Sequence, residues 1–208
     1  MDYVLDESKA SRSQNEASLR DAVDDALNRD KTEQDLFQSA IGCTCETAFE
    51  DMCRIKEMWH KEKGVQGFHL VQSFAAGEVS PELAHQIGLE FADRLLGGEF
   101  QAVISTHLNT KCIHNHIVWN SVSIQTGKKY RSNAKTYVTQ VRRISDELCR
   151  KYYAMLVSYA RLFLRDDWAE DVVQDVFYNV WQRRETLDDS NSLYKYLLRS
   201  VYNRSLNY

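Results

Sequence analysis

The chain has 208 residues, 43% hydrophobic and 27% charged, with a formal net charge of -4. That length holds one good core or two small ones, which excludes a small disulfide-stapled scaffold. The charge balance excludes wholesale disorder and gives no global attraction to nucleic acid. Five cysteines, an odd number, and the lack of an apolar N-terminal run or a membrane span lead to the expectation of a cytoplasmic protein with no membrane partner.

All eight glycines fall between Gly42 and Gly127 and the one proline is Pro81, so both ends of the chain are expected to be helical. Residues 13–29 carry Ala17, Leu19, Ala22, Val23, Ala26 and Leu27 at helical spacing, and residues 44–63 read as a second helix. Cys43, Cys45 and Cys53 lack a fourth ligand at ordinary zinc-finger spacing and are read as plain buried thiols, zinc being the alternative. Residues 67–74 form a short apolar strand. Ser80 stands as an N-cap before Pro81 at the first helical position, opening a helix that Gly97 and Gly98 close. Strands are expected over 100–108 and 113–124, followed by a turn at Thr126 and Gly127. After Asn133 the pattern is helical, and nothing interrupts a helix from about Asn133 through Arg165.

Charge is uneven. The first 55 residues hold thirteen acids and six bases, whereas residues 102–151 hold nine bases against Asp146 and Glu147. From Tyr152 onward the chain has eight of its eleven tyrosines and no glycine, proline, histidine or cysteine. This shift places a domain boundary near Lys151, giving units 1–150 and 151–208 without a flexible linker. In the second unit Asp167 is expected to cap a helix over 168–184 with the apolar stripe Val172, Val173, Val176, Phe177, Val180 and Trp181. Ser192 caps a further helix with Leu193, Tyr196, Leu197, Val201 and Leu206, which completes a three-helix unit.

Three histidines lie within ten residues. His114 and His116 are two apart on a strand and share a face. If residues 109–112 form a four-residue hairpin loop, Leu108 pairs with Ile113 and His107 stands opposite His114, with Cβ atoms about 4.5 to 5.5 Å apart. Three imidazoles then converge as a metal site with open positions, ordinary strand histidines being the alternative. His60 and His85 are read as structural.

The run HLNTKCIHNHIVWN (107–120) resembles the histidine motif of plasmid mobilisation relaxases, the His-hydrophobe-His single-strand nucleases. GFHLVQSFAAGEVSPELAHQIGLEFADRLLGG (67–98) and GKKYRSNAKTYVTQVRRISDELCRKY (127–152) are similar to the segments on either side of it in that family. The resemblance covers about the first 150 residues and implies an α+β fold: a five-stranded antiparallel sheet with flanking helices. It further implies a divalent cation (Mg or Mn, with Zn as the alternative) on His107, His114 and His116, and nicking of single-stranded DNA at a transfer origin through a covalent tyrosyl-DNA intermediate. This chain has Asn109 where relatives often carry Asp, and Cys112 where they carry His. Tyr3, in DYVLDESKA, resembles the nucleophile motif, while a second copy of that pattern, DDALNRDKTE (24–33), has Asp25 in place of the tyrosine. Relaxases place a strand before this tyrosine, so the sheet is expected to be truncated. Lys111, Lys128, Lys129, Arg131, Lys135, Arg142 and Arg143 are read as one DNA-binding track beside the metal site, with solvated surface charge as the alternative.

In the tail, WAEDVVQDVFYNVWQRRETL is similar to the region 2 helix of extracytoplasmic-function sigma factors, and YKYLLRSVYNRSLNY to the promoter-reading helix after it. The resemblance implies that Asp171, Gln174 and Asp175 face the RNA polymerase beta-prime subunit. It sets Lys195, Tyr196, Arg199, Asn203 and Arg204 near a single-stranded -10 element, where aromatic stacking and cationic side chains capture bases. The first likeness ends in CRKY and the second begins with KYY, so the chain reads as a chimera of two truncated modules. DNA nicking is the leading function, polymerase docking its competitor, and an inactive pair of fragments the third reading.

Overall fold

The computed structural model describes residues 11–32, 37–74, 79, 81–108, 112–131, 134–183 and 193–206. Among the described residues there are five strands: β1 (Ser11–Ser13), β2 (Gln38–Ile41), β3 (Gly67–Ser73), β4 (Phe100–His107) and β5 (His114–Ser123). All pairings are antiparallel, in the order β1-β3-β5-β4-β2, so β5 is central. The α+β class and the five-stranded sheet are present as expected. Its two edges are the shortest strands, which limits the unpaired backbone offered to other chains.

Alternate residues leave opposite faces of a strand, and each face has its own coat. On one, Val103 and Val118 meet Leu19, Val23 and Ala26 of α1 (Glu16–Ala26) and Ala48 and Met52 of α2 (Ala48–Met58). On the other, Ala102, Ile104, Ile117 and Trp119 meet Leu83, Ile87 and Phe91 of α3 (Pro81–Leu96) and Val141, Ile144, Leu148 and Tyr152 of α4 (Ala134–Ala160). Each large apolar side chain buried in these interfaces contributes roughly 1.5–3 kcal/mol.

Several ends differ from the sequence reading. Helix α1 starts at Glu16 rather than Ser13, because Asn15 and Ser18 close a capping box while Ser13 is drawn into pairing with Gly67. Helix α2 spans only part of 44–63, ending where His60 takes a φ of 53°. Helix α3 opens at Pro81 and closes at Gly97 as expected. Gly97 adopts a φ of 57°, open to a residue without Cβ, and its N–H donates to the Asp93 carbonyl at 2.8 Å. Ser80 lies outside the described residues. Cys43, Cys45 and Cys53 are in no disulfide and are half-buried rather than buried; burial pushes Cys43 up to about 11, which leaves it protonated and a poor metal ligand.

Helices α5 (Asp166–Arg183) and α6 (Leu193–Ser205) pack on the C-terminal part of α4 through Leu156, Val157, Ala160, Val172, Val173, Val176 and Val201. Helix α4 therefore serves two cores, the sheet side up to Tyr152 and the helical tail from Leu156. It stops at Ala160, not Arg165, because the chain turns over residues 161–164 to bring α5 back against it, leaving Leu162 and Phe163 exposed. Helix α5 begins at Asp166, so Asp167 is inside the helix rather than its cap. Leu206, expected in the apolar stripe, is exposed. The side chains of Phe177, Val180, Trp181, Leu193, Tyr196 and Leu197 lie outside the described ones. Among the described residues no helix is long and apolar enough to cross a membrane.

Glu90 of α3 fastens α4 beside the compositional boundary. Its carboxylate accepts from Lys151 Nζ at 2.8 Å, from Arg94 at 2.6 Å and from the Tyr152 hydroxyl at 3.0 Å. Lys151 first, then Arg94 and Tyr152, hold its carboxyl below the ordinary 4.5. A depressed carboxylate contributes stability above its unfolded-state pKa and loses it as pH falls through the folded-state value. Glu90→Gln is therefore expected to lower the unfolding free energy read from urea titration at pH 7, by less than about 1 kcal/mol after solvent screening. The deficit should vanish on titration below 4.5. A deficit unchanged with pH would show that packing, not charge, holds α4 there.

Candidate metal centre

His107 ends β4 and His114 opens β5, and the two are direct partners across the ladder, in the register expected of the hairpin. His116 shares their face. Ring centroids lie 4.0 Å apart for His107 and His116, 5.1 Å for His114 and His116, and 5.3 Å for His107 and His114. One nitrogen from each ring falls within 4.8 Å of the others.

The remaining ring nitrogens decide whether this cluster suits a cation. His107 Nε2 donates to the Ala26 carbonyl at 2.8 Å and His114 Nδ1 to the Cys112 carbonyl at 3.0 Å. A carbonyl only accepts, so in the neutral rings the proton sits on His107 Nε2 and His114 Nδ1, and His107 Nδ1 and His114 Nε2 are the nitrogens that carry a lone pair. His116 Nδ1 lies 2.9 Å from His69 Nε2, which leaves His116 Nε2. An outer hydrogen bond on each ring is the arrangement that orients metal-binding histidines. Burial, reinforced by the neighbouring imidazoles, pushes His116 down to about 2, and burial also lowers His107, so both are neutral donors near pH 7. Ser105, directly opposite His116, has a buried hydroxyl with no partner among the described residues. The donor set fits a divalent cation.

Local charge points the same way. Helix α1 ends at Ala26, and the carbonyl end of a helix carries partial negative charge. Asp25 Oδ2 is 3.8 Å from His116 Nδ1, and an ion pair with Lys31 holds the Asp25 carboxyl below its usual range.

The opposite face of the same strand ends is locked by a polar chain. Asn115 Nδ2 donates to the Ala84 carbonyl at 2.6 Å and to Gln72 Oε1 at 3.0 Å, and Asn115 Oδ1 accepts from Thr106 Oγ1 at 2.7 Å. The Thr106 hydroxyl in turn accepts from His85 Nδ1 at 3.0 Å, and Ser39 donates to His85 Nε2 at 2.8 Å. Gly88 makes room for this chain, since a Cβ there would lie 2.6 Å from Asn115 Nδ2. His85 is thus structural, as expected, and burial pushes it down to about 4. His60 sits in the turn after α2 and is exposed.

Of the expected basic track, Lys128, Lys129 and Arg131 lie away from the histidines. Strand β5 runs from His114 to Ser123, roughly 30 Å at about 3.4 Å per residue. Lys128, Lys129 and Arg131 follow its far end, where Lys129 bridges to Val122. Lys129 Nζ donates to the Lys63 and Val65 carbonyls, so its charge is used inside the fold. Lys128, Arg131, Arg142 and Arg143 are exposed, and Arg143 lies 3.8 Å from Glu147. Tyr3 and Lys111 lie outside the described residues, as do the side chains of Lys135, Lys195 and Tyr196. In the tail Asp171, Gln174, Arg199 and Asn203 are exposed, while Asp175 and Arg204 pair with each other at 2.7 Å.

Residues 19–154 match the relaxase family described as MobA/VirD2-like, nuclease domain. The chain belongs to this relaxase family. Residues 148–208 match Sigma-70 region 2, so the relaxase match and the sigma match overlap on α4. Among similar proteins, "Protein rlx" of Staphylococcus aureus is 38% identical over 112 residues, 54% of this chain and 33% of the relative. A second "Protein rlx" from that organism is 37% identical over 115 residues, 55% of this chain and 36% of the relative. "Group II intron-interrupted relaxase LtrB" of Lactococcus lactis subsp. cremoris (strain MG1363) is 34% identical over 114 residues, 49% of this chain and 20% of the relative. The chain thus spans about a third or less of the length of these relaxases.

His69 was not singled out from the sequence. Its alternation along β3 was legible, but its proximity to His116 depends on β3 lying next to β5. Replacing His114 and His116 together with alanine is expected to abolish Mn²⁺ or Zn²⁺ binding in calorimetry, because one imidazole cannot hold the ion. Unchanged affinity would remove the cluster from consideration.

Proposed function

We propose that this relaxase-family chain performs metal-dependent, site-specific nicking and strand transfer on single-stranded DNA at a plasmid transfer origin, in the cytoplasm. The observation that carries the reading is the convergence of His107, His114 and His116, one nitrogen of each ring lying within 4.8 Å of the others while each ring makes an outer hydrogen bond. His107, His114 and His116 would hold a divalent cation, Mg or Mn, with Zn as the alternative, and when bound it would supply positive charge beside the scissile phosphate. Tyr3 is the proposed nucleophile. Its oxygen forms the new bond to phosphorus, the bond from phosphorus to the leaving sugar oxygen breaks, and that oxygen takes the proton. One phosphodiester is exchanged for another, so the same residues can rejoin the strand. The direction of β1 supports this role: Ser11 pairs with His69 and Ser13 with Gly67, so β1 runs away from the histidine end of the sheet.

The test is covalent capture. Full-length protein is incubated with Mn²⁺ or Mg²⁺ and single strands tiled across the DNA flanking its gene, then run on a denaturing gel. One strand is expected to give a protein-linked band that Tyr3→Phe abolishes. Nicking without a linked band, or a band that survives Tyr3→Phe, would sink the tyrosine mechanism.

A second reading attaches to residues 151–208, proposed as a separate module fused to the nuclease unit 1–150. The Sigma-70 region 2 match and the exposure of Asp171 and Gln174 favour docking on RNA polymerase, with the beta-prime subunit as the proposed partner. Asp175 would join them only by giving up Arg204. Arg199, Asn203 and Arg204, with Lys195 and Tyr196, are the proposed contacts to a single-stranded -10 element. Pull-down of purified core polymerase, lost in Asp171→Ala/Gln174→Ala, is the expected result; retention by that variant would end the assignment.

The proposed basic track of Lys111, Lys128, Lys129, Arg131, Lys135, Arg142 and Arg143 has its own measurement. Affinity for single strands is expected to fall with log salt by about 0.7 per phosphate contacted. Lys128→Ala/Arg131→Ala should flatten that slope by up to about 1.4, whereas Lys129→Ala should cost stability and leave the slope unchanged. An unaltered slope in the double variant would place the strand elsewhere, on α6.

A further inference from the structure

We infer that His69 is a positioning residue for the metal centre, its ring accepting a hydrogen bond from His116 Nδ1 and so presenting His116 Nε2 to the cation. The inference rests on the metal reading above and deepens it. His69 lies on β3 opposite Val118, two residues along the ladder from His116 and on the same face. The ring centroids are 4.9 Å apart and the facing nitrogens 2.9 Å.

The chemistry of two neutral imidazoles constrains what this contact means. One ring must donate and the other accept. If His116 accepted at Nδ1, its proton would sit on Nε2, and the nitrogen left for the cluster would have no lone pair. A binding-competent His116 is therefore the Nδ1–H tautomer, with His69 as its acceptor and the His69 proton on its own Nδ1.

The fold explains why a side chain takes this role. His107 ends β4 and finds a carbonyl at the end of α1, while His114 opens β5 and finds one in the hairpin loop. His116 stands further into β5, between β3 and β4, where strand carbonyls are consumed by the ladders on both sides. Its acceptor has to come from a neighbouring side chain on the same face. Asp25 Oδ2, at 3.8 Å, is beyond hydrogen-bond distance, and the other oxygen of that carboxylate is paired with Lys31. His69 is within reach, mostly buried, and clear of the two hydrogen bonds that orient the other rings.

The test uses full-length protein with His69→Leu, which removes the acceptor, and His69→Gln, whose Oε1 restores one. In metal-free wild type, long-range ¹H–¹⁵N spectra are expected to show His116 as the Nδ1–H tautomer, and His69→Leu should convert it to a mixture. Mn²⁺ or Zn²⁺ affinity by calorimetry should fall about 10- to 100-fold in His69→Leu and return toward wild type in His69→Gln. Thermal melting of both variants separates this from loss of folding. Equal affinity in wild type and His69→Leu, or an equal loss in both variants at matched stability, overturns the positioning role. Wild type that binds no metal while keeping the Nδ1–H tautomer removes the metal reading instead, and leaves the hydrogen-bond assignment standing.

Discussion

The pairing of His107 with His114 across β4 and β5 is the constraint on which the site depends. With a side-chain period of two, this register sends His107, His114 and His116 toward α1 and α2, and sends Thr106, Asn115 and Ile117 toward α3. A slip of one residue would turn the imidazoles into an apolar helix interface and strand Asn115 without its partners. Each buried polar group left unpaired costs on the order of 1–3 kcal/mol. The chain from Ser39 through His85, Thr106 and Asn115 to Ala84 and Gln72 therefore acts as a lock on the register that the metal face requires.

The site is prepared for a cation before one arrives. Burial keeps His107 and His116 neutral, outer hydrogen bonds fix which nitrogen each ring offers, and the end of α1 adds partial negative charge. Little reorganisation would remain for binding, so in the proposed reaction a cation would not have to assemble its own ligands. Asp25 contributes through the electrostatics of the centre and not as one of the three clustered ligands.

Helix α4 joins the two halves physically. Leu148 and Tyr152 are buried in the sheet-side core and Leu156, Val157 and Ala160 in the tail core, one turn apart on one helix. The overlap of the relaxase and sigma matches falls on this stretch. Since Glu90 grips Lys151 and Tyr152 from α3, the orientation of the tail is set by the same helix face that closes the nuclease-like sheet.

Local features were legible in the sequence. The histidine pairing of β4 with β5, the Pro81-to-Gly97 bounds of α3 and the helices of the tail follow from periodicity and from the placement of proline and glycine, which act over a few residues. What the sequence left undecided was adjacency. That β3 flanks β5 brings His69 to His116; that α1 ends over the hairpin brings Ala26 and Asp25 to the site; that β5 traverses the sheet carries Lys128 and Arg131 to its far end. Lys129 in a loop of carbonyls and Arg204 on Asp175 are likewise products of packing. Strand order and helix placement are fixed by burying both faces of one sheet at once, a condition on the whole chain that no short segment encodes.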